Sequence, residues 1–125
     1  MRQGKLIAIS SFFGASGVLL GAFGAHALKT RIDERLLQVF ETAVRYQMIH
    51  ALALAIIAAL YTSKESKFLE RAAICFVIGI TIFSGSLYAL VASGIGLFGA
   101  VTPIGGVCLV MGWVFMGIDG FARSR

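Results

Sequence analysis

Charge is scarce in this sequence. Asp and Glu number 6 and Lys and Arg 11 among 125 residues, 14% in all, where soluble domains carry about 25%. What charge there is avoids four stretches: Leu6–Leu28, Tyr46–Tyr61, Ala72–Ala92 and Pro103–Ile118 hold none. With hydrophobic residues at 58%, a soluble core in so short a chain is excluded, and lipid is the expected solvent. Cysteine is nearly absent as well. Cys75 and Cys108 each lie within an apolar stretch. Alternating topology sets them at different depths, beyond the roughly 7 Å between Cα atoms that a disulfide tolerates, so both are expected to be packing residues. Two histidines are too few for zinc, which takes about three or four protein ligands. Glu41 adds a third only if its segment folds over them, and no metal or other cofactor is expected. No nucleophile stands at catalytic spacing from a base, and the glycines of Gly94–Gly99 lack the strand and helix of a phosphate loop. No catalytic residue is therefore assigned.

The four stretches approach the roughly 20 residues that cross a hydrocarbon core. They predict an all-α protein: a four-helix transmembrane bundle in one integral membrane domain, residues 1–125, with spans at about 6–28, 46–62, 71–92 and 103–119. Arg2 and Lys5, an apolar run and Ala25-His26-Ala27 imitate a signal peptide. The uncharged run is longer than a signal core, which predicts a retained helix. The net charge of +5 follows from basic residues at span ends, a mark of topology selection, and nucleic acid is not an expected partner. Arg2, Lys5, Lys64, Lys67, Arg71, Arg123 and Arg125 fall on one side, against Lys29, Arg31, Arg35 and Arg45 on the other. That bias predicts cytoplasmic termini.

Between the first two spans, Asp33 or Thr30 can cap a helix with apolar Leu36, Phe40, Ala43 and Val44 opposite Glu34, Gln38, Glu41 and Arg45. The pattern predicts an amphipathic interfacial helix, running into helix 2 without a Gly or Pro break. Thr62–Lys67 reads as a polar turn with Ser63 or Ser66 capping helix 3. Gly94, Gly96 and Gly99 read as a flexible loop, and Pro103 as first-turn residue of helix 4.

Two constellations stand out. Ser10, Gly14, Gly17, Gly21 and Gly24 share one face of helix 1. Such a face permits the close backbone approach that drives helix association in lipid, here within the chain, with a homo-oligomer seam as the alternative. The drawn topology also gathers His26, Tyr46, Gln47, His50, Ser84, Ser86, Tyr88 and Thr102 toward the non-cytoplasmic half. Buried polar groups in a membrane need partners. A closed hydrogen-bonded network without a cavity is expected, and a small-ligand or proton-handling pocket is the rival.

Gly21-Ala-Phe-Gly-Ala-His26-Ala-Leu28, Tyr46-Gln47, His50-Ala-Leu-Ala-Leu54, Phe83-Ser-Gly-Ser-Leu-Tyr88, Thr102-Pro-Ile-Gly-Gly106 and Gly112-Trp113 together resemble the YgdD-like family. These are small multi-pass bacterial inner-membrane proteins of unknown function, with eukaryotic relatives in the TMEM series. Ile49 departs from the pattern, where an aromatic often precedes the second histidine. The resemblance implies four helices in a bacterial inner membrane and no activity. Residues and resemblance together predict a non-enzymatic structural or interaction component. Its partners would be the lipid bilayer and a second copy or another membrane protein; a small carrier or channel-like protein is the alternative.

Overall fold

The computed structural model describes residues 3–61 and 66–125. Four helices run up and down: α1 (Gln3–Phe23), α2 (Glu34–Leu60), α3 (Lys67–Ser93) and α4 (Leu97–Arg123). A π-helical turn, Gly24–Leu28, continues α1. Together they make four candidate spans of 26, 27, 27 and 27 residues. At 1.5 Å per residue, each is long enough to cross roughly 30 Å of hydrocarbon. The described residues contain no strand.

The caps follow local chemistry. Asp33 Oδ1 accepts the Leu36 amide at 2.8 Å and starts α2. Ser66 Oγ accepts the Leu69 amide and starts α3. Ser63, and residues 62–65 of the turn expected at Thr62–Lys67, lie outside the described residues.

Three expectations are corrected. The amphipathic segment is no separate interfacial helix: residues 34–45 are the first three turns of α2, standing beside α1. Nothing interrupts the backbone between Glu34 and Leu60, and the apolar side of those turns, Phe40 and Ala43, is buried in the bundle. The loop before α4 shrinks to Gly94–Gly96, with Gly94 at φ 71° in the left-handed region that favours glycine. Gly99 lies inside α4, and so does Pro103, six residues past the helix start.

Neighbouring helices pack in chain order: α1 on α2, α2 on α3, α3 on α4. Contacts across the chain set the register. Gln3 Nε2 donates to Ala58 O at 2.7 Å, and Arg123 reaches Leu60 O at 3.4 Å. The first and last helices thus share the end where α2 finishes. The apolar core also sits toward that end, with Leu6, Leu54, Ile57, Leu69, Phe76 and Ile80 at its centre.

The α3–α4 seam is the tightest. A Cβ on Gly105 would strike the Phe83 backbone; one on Gly79 would stand 2.5 Å from Leu109 Cδ2 and 3.0 Å from its backbone nitrogen. Gly105→Ala is therefore expected to destabilise the bundle by about 1–3 kcal/mol. Gly117→Ala, with nothing within 4 Å, should leave thermal unfolding in detergent unchanged. Equal melting temperatures for the two variants would contradict the seam.

Candidate functional site

The glycine face of helix 1 is spent mainly on α2. Gly17 lies under Met48, Gly21 against Val44, and Gly24 against the Phe40 ring. Ser10 is buried and bonds its own helix at Ile7 O. Gly14 faces open space. These close approaches bring α2 near enough for Gln47 to reach the α1 backbone.

The Gln47 side chain is buried and joins three helices. Its Nε2 donates to Phe13 O at 2.9 Å and to Ser16 Oγ at 2.8 Å, both on α1. Its Oε1 accepts from Tyr88 OH on α3 at 2.7 Å. A carbonyl only accepts, so Phe13 fixes which end of the amide faces α1. Both N–H groups and the carbonyl oxygen are thus engaged. Ser84 Oγ donates to Ala43 O at 2.7 Å, a second α2–α3 link. Ser86 and Thr102 share a 2.6 Å hydrogen bond between α3 and α4.

His50 forms a second centre. Its Nδ1 lies 2.7 Å from Tyr46 O and its Nε2 lies 3.0 Å from Trp113 Nε1. The carbonyl requires a proton on Nδ1, and the indole N–H requires a lone pair on Nε2. Both contacts select the same neutral tautomer. Tyr46 stacks on Phe83 at 4.5 Å between centroids, and Phe76 packs edge-on to Trp113 at 5.2 Å. Tyr46 itself stays 38% exposed.

The structure separates the two histidines. His26 is exposed in the π-helical turn and has no side-chain hydrogen bond among the described residues. His50 lies 16 residues into α2, about 24 Å along its axis at 1.5 Å per residue. It is therefore level with the middle of the bundle. The early start of α2 places it there.

Three residues that the sequence reading left out of the site complete the polar framework. Ser16 supplies the second α1 partner of Gln47. Trp113, 44% exposed on α4, gives His50 its donor through the indole N–H, a group that takes a hydrogen-bond partner in apolar surroundings. Asp119 is buried, accepts from Ser66 Oγ, and accepts from Arg123 Nε at 2.6 Å. A lone carboxylate four residues before an arginine was the clue there. This cluster ties the start of α3 to the ends of α4 and α2.

Beside the network lie two hollows of about 400 Å³ each, where α1 and α3 stand apart over α2. Phe12, Phe13, Ser16, Gln47, Ile80 and Thr81 line the first; Phe23, Leu28, Phe40 and Val91 line the second. Leu20 and Tyr88 form the partition between them. Neither His26 nor His50 lines either hollow. Among the described residues no three His, Cys, Asp or Glu side chains converge as metal ligands, and both cysteines are free.

Long apolar spans and buried polar groups consumed by interhelical bonds define a small polytopic membrane protein. The chain belongs to the family described as protein of unknown function DUF423, whose model matches residues 20–106. That region runs from the partition at Leu20 through the glycines at Phe83.

A UPF0382 membrane protein of Staphylococcus aureus strain bovine RF122 is 45% identical over 101 residues, 81% of this chain and 82% of that protein. YwdK of Bacillus subtilis strain 168, likewise a UPF0382 membrane protein, is 43% identical over 78% of this chain and 80% of its own length. The UPF0382 inner membrane protein YgdD of Escherichia coli K12 is 33% identical over 96% of this chain and 92% of its own length. The resemblance to the YgdD-like family is thus established. No solved structure matches the chain.

Interhelical hydrogen bonds in membranes are worth about 0.6 kcal/mol on average. Tyr88→Phe, which removes one bond to Gln47, should cost about that much. Gln47→Leu removes three and should cost about 2 kcal/mol. Thermal unfolding of the detergent-solubilised protein checks the ranking, and a reversed order would remove Gln47 from the centre.

Proposed function

We propose that the chain is a non-enzymatic structural or interaction component of the bacterial inner membrane, with both termini in the cytoplasm. The observation that carries this reading is the consumption of Gln47: its N–H groups and its carbonyl oxygen hold α1 and α3. A solute site keeps convergent polar groups for its ligand. Here they join helices, and what the chain offers outward is helix surface. The excess of Lys and Arg beside the termini supports the orientation.

The hollows favour one other reading, a small carrier or channel-like protein. Each is large enough for a small ligand, and Gln47 and Tyr88 border the first. Reconstitution separates the two. Proteoliposomes under a pH or potassium gradient should dissipate it no faster than empty vesicles. Flux that Gln47→Leu abolishes would put the carrier reading first. A reporter fused after Arg125 should signal cytoplasmic placement, and a periplasmic signal would invert the topology.

A further inference from the structure

The residues of α2 that face away from the bundle include two charges at an unexpected depth. Gly17 is the midpoint of the uncharged run Leu6–Leu28, and it packs beside Gln47 and Met48. On α3, Ser84, close to the middle of the uncharged Ala72–Ser93, bonds Ala43. Arg45 lies between these two levels. At 1.5 Å per residue it stands about 3 Å from the level of Gln47, and Glu41 about 9 Å from it. Both side chains are exposed, and neither has an ion pair or hydrogen bond among the described residues.

Charged side chains facing lipid near mid-bilayer are unfavourable and rare. Glu41 is near enough to the membrane surface to reach toward water. Arg45, roughly 12 Å below it, is too deep for its side chain to gain the headgroups. An ion pair within α2 would leave both charges in hydrocarbon.

The same face has a second property. Gln38, Thr42, Arg45, Ile49, Leu52 and Ile56 alternate steps of four and three. That is the seam spacing of a left-handed coiled coil. Five of the six are exposed and Thr42 is half-buried. Polar residues in such a seam fix register and partner.

We propose that two copies of the chain pair along this face of α2, with both Glu41 and both Arg45 side chains closing into one net-neutral cluster within the bilayer. Copies inserted in the same direction are related by a twofold axis along the membrane normal, so like residues share a depth. Glu41 and Arg45 are one helical turn apart, which lets each arginine meet the carboxylate of its own helix and that of the other. A second copy supplies both signs at the required level, and Ile49, Leu52 and Ile56 extend the contact in apolar form. This gives the proposed interaction role its partner, and cross-linking tests it independently of flux.

The experiment uses the full chain in native membranes, with Cys75→Ser and Cys108→Ser as background. Ile49→Cys and Leu52→Cys should cross-link into dimers, while Val110→Cys on the exposed face of α4 should not. Glu41→Arg or Arg45→Glu alone should lower the dimer fraction at least tenfold, and the double exchange should restore it. The cross-links with native charges stand as a second measurement should a single reversal fail to fold. Cross-linking that is equal at Val110→Cys, or a double exchange that does not restore the dimer, overturns the proposal. So does native mass spectrometry showing a monomer with bound anionic phospholipid and no Ile49→Cys cross-link, which would assign the face to a lipid.

Discussion

The amide of Gln47 is the interaction on which the rest of the bundle depends. α1 and α3 are not joined by an extensive contact of their own, and α2 is the element they share. In water a glutamine could satisfy itself with solvent. In hydrocarbon its donors and acceptor must be met by protein, so the residue fixes the spacing of the helices around it. Several other features serve that distance. Gly17 leaves room for the side chain to pass, Ser16 and the Phe13 carbonyl receive it, and Tyr88 reaches across from α3. The hollows on the α1–α3 side are the gap left when two helices are held by a third.

His50 and Trp113 extend the same economy to α4. Their bond crosses from α2 to an outer helix at a level where the remaining neighbours are aromatic rings. At the end shared by the termini, the buried carboxylate of Asp119 serves as the corresponding clasp. Polar links thus occur at several depths, while the buried apolar core, drawn mostly from α2 and α3, lies toward the terminal end.

Much of the fold was legible in the sequence because lipid imposes a simple rule: long uncharged runs become helices. The glycine face of helix 1 could be read from its period, and Gln47 and Tyr88 from their position in apolar surroundings. The amphipathic start of α2 misled. Its pattern fits a helix lying at the membrane surface, whereas it is continuous with the rest of α2 and has one side against α1. That displacement alone moved His50 to mid-bundle and away from His26. Pro103 misled similarly, because proline suits a first turn but a helix can also start two turns before it. Ser16, Trp113 and Asp119 became visible as partners only once the helix registers were known.

The two halves of the chain also differ in what their assembly must move. From Ala72 to Ile118 the sequence holds no charged residue, and Gly94 turns α3 directly into α4. In the orientation proposed above, both ends of this pair stay on the side of synthesis, and it can enter the membrane as one hairpin, carrying only a short uncharged turn across. In that proposed orientation the first hairpin instead carries Lys29, Arg31, Asp33, Glu34 and Arg35 to the far side. Translocation is therefore the harder step for the half of the chain that is made first.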